Sequence, residues 1–299
     1  MKLALGTVQF GLDYGVSNNH GQVNSSEITA ILKLAQSVGI DTLDTASVYG
    51  NSEQILGEQL STFGDNTEKL NSSFKIVSKI PALKNDEIKI NHYLDQSLDH
   101  LKQNQLEVVL FHQVNDLIDS PFNQQRFDNL MSEKKQGKIN KVGISVYKPE
   151  QLNYCVNHYK IDLVQLPLNC LDQRFIQTQW LEKLTKAKIE VHCRSLFLQG
   201  LLLMDISKLA NYFKPYKPYL MKFYNMTKQL NVSPLALSLA IGCKNTAISK
   251  MVVGCCNTTQ LEEIVEAYEV ALTIDANLSL LACNDEQLLI PSNWKLGGK

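Results

Sequence analysis

Leu106-Glu107-Val108-Val109-Leu110-Phe111 is nearly all apolar, as a strand covered on both faces should be. Such strands belong to parallel sheets with helices on either side. The neighbouring sequence fits. Before it lies a strand over Phe74–Lys79 and then a helix with Tyr93, Leu94, Leu98 and Leu101 on one side. After it, Phe127, Leu130 and Met131 mark a helix closed by Gly137, and Ile139–Ser145 is the next strand.

Working outward, the same alternation continues to both ends. Leu3–Gly6 is a short apolar start. Asn24 and Glu27 form a capping-box pattern before Ile28, Ile31, Leu32 and Ala35, and Gly39 ends that helix. Ile40–Asp44 follows as a strand and Ser52–Leu60 as a helix. Towards the C-terminus, Pro149 opens a short helix, where its missing N–H costs nothing. Ile161–Gln165 and Ile189–Cys193 read as strands, with a helix over Gln173–Lys186 between them. A long loop leads to a helix from Ser233-Pro234 to about Gly242. Lys250–Gly254 is the last strand, and its helix carries Leu261, Ile264, Val265, Tyr268 and Leu272.

That makes eight strand-then-helix units without a low-complexity linker. Repeated βα units imply a parallel sheet with right-handed crossovers. Eight of them in 299 residues favour closure into a single (β/α)8 TIM barrel spanning 1–299. The tail over 273–299 is expected near the barrel mouth. A doubly wound open sheet is the runner-up, but no G-x-G-x-x-G follows the first strand.

Composition narrows the function classes. With 29 basic and 30 acidic residues, the chain offers no electrostatic footprint for nucleic acid or an anionic membrane. Its seven cysteines are irregularly spaced without a C-x-x-C, which argues against a disulfide framework or a zinc knuckle. The Cys255–Cys256 pair reads as two small apolar residues after a buried strand rather than as a redox switch. The apolar run at Met1–Gly6 is too short for a signal peptide, and no stretch approaches the roughly 20 apolar residues of a membrane span. A cytoplasmic protein is the expectation.

In such barrels reactive groups sit at the C-terminal strand ends. Asp44 ends the second strand, Tyr49 follows in its loop, Lys79 ends the third and His112 follows the fourth. Each has an ordinary explanation as a cap, a half-buried ring, a solvated charge or a rim histidine. Together they make one chemistry. A carbonyl reduced by hydride needs a proton on its oxygen. A free phenol, with pKa near 10, is a poor acid-base catalyst, and a cation beside Tyr49 should lower that value. Asp44 would hold Lys79 charged, and His112 could polarise the carbonyl. The hydride must come from a cofactor.

At this point the chain resembles the aldo/keto reductase family. Asp44-Thr45-Ala46-Ser47-Val48-Tyr49-Gly50-Asn51-Ser52-Glu53, with Leu56-Gly57 after it, looks like that family's signature, and the spacing to Lys79 and His112 looks like its tetrad. Gly137-Lys138-Ile139 with Val142-Gly143-Ile144-Ser145, Gln165 with Asn169, and Ser195 with Gln199-Gly200 are similar to its further segments. Gly254 stands before the helix that resembles its adenosine-binding helix.

The resemblance implies catalytic Asp44, Tyr49, Lys79 and His112, with Tyr49 as general acid, and NADP(H) or NAD(H) as cofactor. It implies a nicotinamide end held by Ser145, Asn169 and Gln165, with Thr7, Asp44 and Arg194 also on the cofactor. The Ser195, Phe197 and Gly200 loop would wrap the pyrophosphate, and Gly254, Cys256 and Gln260 would face the adenosine. Val146, Arg194, Leu196, Cys256 and Ile264 depart from the family pattern. Arg194 replaces a Tyr that stacks on nicotinamide, and Cys256 an Arg that pairs with the 2′-phosphate. The substrate pocket is expected from the loops after strands one, four and seven and from the tail, with Tyr14, Tyr147 and Trp294 as lining. The stretch Arg194–Leu201 resembles a bacterial subgroup associated with sugar metabolism, so the expected partner is a small carbonyl or sugar substrate. A cofactor-sensing regulatory subunit and a transient-redox sugar-modifying enzyme are the alternatives.

Overall fold

Eight parallel strands close into a barrel in a computed structural model of the chain. It describes all residues except 17, 19, 63–73, 85–86 and 297–299. The strands are β1 Leu3–Gly6, β2 Thr42–Asp44, β3 Lys75–Ile80, β4 Leu106–Phe111, β5 Ile139–Ser145, β6 Leu163–Pro167, β7 Glu190–Arg194 and β8 Lys250–Gly254. They pair in sequence order, and β1 closes on β8 with Gly6 opposite Gly254. Among the described residues no helix is long and apolar enough to cross a membrane.

Alternation along each strand sorts the side chains into two cores. Val109 and Phe111 point outward into the large core under the helices. Val108 and Leu110 join Val77 and Leu163 in a separate small cluster, which plugs the barrel. Close approach there depends on Gly143, since a Cβ on it would lie 2.2 Å from the Leu163 carbonyl oxygen. Ion pairs ring the N-terminal end of the strands. Asp41 binds Lys75 and Lys250, while Lys141 bridges Glu107 and Glu190.

Two elements differ from the sequence reading. The helix expected over Gln173–Lys186 is broken into Arg174–Gln177 and Trp180–Lys186, with Gln179 left-handed at φ 59°. Local hydrogen bonds explain the break. Asp172, fully buried, takes both Nε and a terminal nitrogen of Arg174 at 2.8 Å, and the Thr178 hydroxyl donates to the Arg174 carbonyl at 2.6 Å. The long loop after β7 also carries structure, including a helix over Lys217–Leu230 that buries Leu220, Phe223 and Thr227.

Candidate active site

The next layer above the barrel plug is polar. Residues two apart on a strand share a face, so Lys79 lies above Val77, Gln165 above Leu163, and Ser145 above Gly143. His112 follows Leu110 in the same way, and Arg194 follows His192. On β3, β4 and β6 the sequence thus changes from apolar to reactive in one step at the strand ends. Above this layer opens a cavity of about 600 Å³.

Lys79 forms its floor rather than its wall. The side chain is 1% exposed, and its Nζ donates to Asp44 Oδ1 at 2.6 Å and to the Thr45 carbonyl at 2.8 Å. Gln165 Nε2 donates to the other Asp44 oxygen at 2.6 Å. Burial pulls the ammonium towards neutrality, but the carboxylate against it prevails and its pKa is raised. Lys79 Nζ also lies 5.2 Å from the centre of the Tyr49 ring, and the His112 ring meets that ring edge-on with centroids 6.0 Å apart.

Tyr49 differs from expectation in one respect. Lys79 does favour the phenolate, but burial of the phenol is the larger effect and pushes its pKa up. The phenol is therefore firmly protonated at neutral pH. Burial, with the Lys79 and Arg194 charges, depresses the His112 imidazolium to about 4, so His112 is neutral.

Most expected residues meet at this cavity. Thr7, Tyr14, Asp44, Tyr49, His112, Ser145, Tyr147, Gln165, Arg194, Ser195, Phe197, Gly200, Gly254, Cys256 and Gln260 all line it. Thr7 is already engaged, its N–H and hydroxyl both donating to the Asp44 carbonyl. Asn169 is not on the wall. It is fully buried behind it, accepting from the N–H groups of Leu171 and Asp172 and donating to the Ser195 carbonyl at 3.1 Å. These bonds hold the loop in shape. Trp294 also lies off the cavity, edge-on to Phe213 with its indole N–H on the Leu288 carbonyl. From the tail, Glu286 accepts from Lys148 Nζ at 2.7 Å and from Arg174 at 3.3 Å, and none of the three lines the cavity.

Gln9, Asn18, His20, Gln199 and Glu263 also line the cavity. Gln9 packs against Gly254, where a Cβ would lie 2.6 Å from Gln9 Oε1. Of these, the sequence segments marked Gln199 alone; Gln9 and Glu263 come in on the helices Val8–Gly11 and Thr258–Thr273, and Asn18 and His20 on the first loop. Ser195, Leu198, Gln199 and Gly200 all have positive φ, from 49° to 91°, a strained conformation for the three that are not glycine. Val16 N–H donates to the Gln199 carbonyl, and the Gln199 amide donates to the Tyr14 hydroxyl at 3.1 Å. The β1 loop and the β7 loop therefore meet over the cavity.

Residues 2–285 match the model of the Aldo/keto reductase family. Similar solved structures include an aldo-keto reductase from Bacillus halodurans in its holo form, at TM-score 0.72 and 17% identity over 94% of this chain and 92% of that one. Another is a protein from Pseudomonas aeruginosa provisionally named an aldo-keto reductase, at TM-score 0.67 and 22% identity over 91% of each chain. These likenesses speak for the fold. No curated protein matches the chain.

Proposed function

The chain belongs to the aldo/keto reductase family, a family of oxidoreductases, and on that premise we propose that it reduces an aldehyde or ketone to an alcohol with NAD(P)H, with Tyr49 as the general acid. The observation that carries this reading is the buried Lys79–Asp44 pair beneath a protonated Tyr49 and a neutral His112. The phenol gives its proton to the carbonyl oxygen. The Lys79 charge stabilises the phenolate left behind. Neutral His112 donates an N–H to the same oxygen and adds no positive charge that would oppose Lys79. Asp44, with both oxygens engaged, keeps the ammonium in place.

Two features fit a nicotinamide cofactor. Gln165 Oε1 is buried without a hydrogen-bond partner among the described residues, and Ser145 stands on the neighbouring strand of the same cavity. A carboxamide offers Gln165 Oε1 a donor and the Ser145 hydroxyl an acceptor. When bound, the cofactor supplies the hydride. Cys256 and Gln260 would face its adenosine end, and the left-handed Ser195–Gly200 turn its phosphates. Arg194 is the one Lys or Arg among the described residues lining the cavity, and it leans away from β8. With no cation beside Cys256, NADH should be accepted comparably to NADPH.

Tyr14, Tyr147, Asn18 and Gln199 give the mouth hydroxyls and amides, which suits a polyhydroxylated, sugar-derived carbonyl. The test is consumption of reduced nicotinamide, followed by absorbance, against a panel of aldehydes, ketones and sugars. Turnover lost in Tyr49→Phe supports the reading. No turnover of any compound with either cofactor would refute it.

A further inference from the structure

This inference rests on the reading above and concerns what the carbonyl compound carries. On the catalytic side of the cavity the charges nearly cancel. Asp44 is neutralised by Lys79 at 2.6 Å. His112 is neutral, and burial keeps Tyr49 and Tyr14 protonated, Tyr14 being pushed up to about 12. Arg194 is left as the net charge on that side among the described residues.

Arg194 is also short of partners. No described carboxylate lies within 4.0 Å of it, unlike Arg174, which sits on Asp172 and Glu286. One terminal nitrogen donates to the Ser195 hydroxyl at 3.3 Å and the other to the Val146 carbonyl at 3.2 Å. Charge-assisted bonds are usually near 2.7–2.9 Å, so both contacts are long. A guanidinium has five N–H donors, and three are therefore unused. Its Cζ stands 4.1 Å from the centre of the Tyr147 ring, which fixes the plane and leaves the N–H edge open. A half-buried cation with open donors and only neutral partners favours an anion.

The direction of the side chain indicates whose anion it is. Arg194 leaves β7 and reaches across β6 to Val146 and Tyr147, just beyond β5. That takes the guanidinium away from β8 and the adenosine end. It comes instead to the side where Tyr49 and His112 act. We propose that the substrate carries an oxyanion, a carboxylate or a phosphate, and that Arg194 binds it beside the reacting carbonyl.

The binding test uses protein saturated with oxidised cofactor, titrated calorimetrically with succinate, glycerol 3-phosphate and neutral 1,4-butanediol. One anion per chain should bind, the diol should not, and Arg194→Met should weaken the anion about tenfold or more, the loss expected for a charge-assisted bond. The tighter of the two anions identifies carboxylate or phosphate. Arg194→Lys, which keeps the charge without the fork, should lie between. Circular dichroism checks that both variants fold. Anion binding that is absent, unchanged in Arg194→Met, or confined to cofactor-free protein would overturn the proposal. The last result would give the guanidinium to the cofactor's pyrophosphate.

The kinetic test compares kcat/KM for succinic semialdehyde and for glyceraldehyde 3-phosphate with that for butanal. One anionic substrate should be favoured about tenfold or more by the wild type, and Arg194→Met should abolish the preference. A ratio of two substrates cancels any uniform effect on cofactor binding. Turnover with no anionic preference would overturn this proposal and leave the reductase reading standing. Arg194-dependent anion binding without turnover of any carbonyl would do the reverse.

Discussion

The Tyr49 carbonyl oxygen fills the space a side chain at residue 11 would need: a Cβ on Gly11 would lie 1.8 Å from it. The contact is mutual, because a Cβ on Gly50, at φ 58°, would lie 2.3 Å from the Gly11 carbonyl oxygen. The backbone of the first loop is thus the seat of Tyr49, the proposed proton donor. Gly11→Ala should shift Tyr49 and reduce kcat by about 10²-fold, as misplacement of a catalytic group by about 1 Å does. Far-UV circular dichroism should remain that of the barrel. An unchanged kcat would show that the seat is not needed.

Tyr49→Phe keeps the ring and removes the hydroxyl proposed to donate the proton. Turnover should fall by roughly 10²–10⁴, with the dissociation constant for reduced cofactor changed little. Single-turnover hydride transfer and cofactor fluorescence measure the two. Near-normal turnover would place the proton on another group.

Lys79 and Asp44 are buried together, so removing one strands the other. Asp44→Asn or Lys79→Met should each cost about 3–5 kcal/mol in denaturant unfolding. The double variant should regain much of that stability, because no lone charge remains, yet stay inactive. Equal stability losses in all three variants would contradict the pairing.

The pH profile follows from the two shifts. With the imidazolium depressed to about 4, His112 is neutral throughout the physiological range. Reduction should be flat across neutrality and fall as pH drops through about 4, where a second cation forms beside Lys79. The phenol's raised pKa keeps the acid form at neutral and mildly alkaline pH. Alcohol oxidation, which needs phenolate, should therefore keep rising with pH. A bend in the reductive kcat/KM near 6.5, the ordinary imidazole value, would show that His112 is not desolvated.

Cofactor preference is the fifth test. Lys250 lies on β8, but its Nζ is held by Asp41 at the far end of the strand. Cys256→Arg should move preference towards NADPH by about 1–3 kcal/mol, as a hydrogen bond to a charged group would. Paired titrations with NADH and NADPH at one ionic strength read this directly. A wild-type preference for NADPH above about 100-fold, or roughly 2.7 kcal/mol, would mean that some cation reaches the phosphate.

The barrel and most of its site were legible because strand ends are. A strand covered on both faces is apolar until it leaves the core, so Asp44, Lys79 and His112 announce themselves where the pattern breaks. Strands β1, β4, β5 and β8 fall where the sequence places them. What escaped depends on turns and on depth. The break at Gln179 arises from Asp172 and Thr178, whose hydrogen bonds compete with an apolar period that by itself continues. The helix over Lys217–Leu230 does carry the spacing of Leu220, Phe223 and Thr227, a signal the long polar segment around it obscures. Asn169, expected at the nicotinamide end, lies behind the cavity wall on loop backbone, because loop curvature decides which way a side chain turns. The balance on Tyr49 also needed the fold, since the distance to Lys79 and the desolvation are not written in spacing.

The seam between β1 and β8 joins the two ends of the chain in one cavity, with a consequence for when the proposed activity can arise. The pocket joins Thr7, just after the first strand, to Gly254, Cys256 and Gln260 at and beyond the last. A nascent chain that has not yet released residue 254 and the helix after it carries Tyr49 but lacks one wall of the cavity. Ribosome-bound intermediates should be catalytically silent, and turnover recovered during refolding would report ring closure rather than the earlier formation of individual βα units.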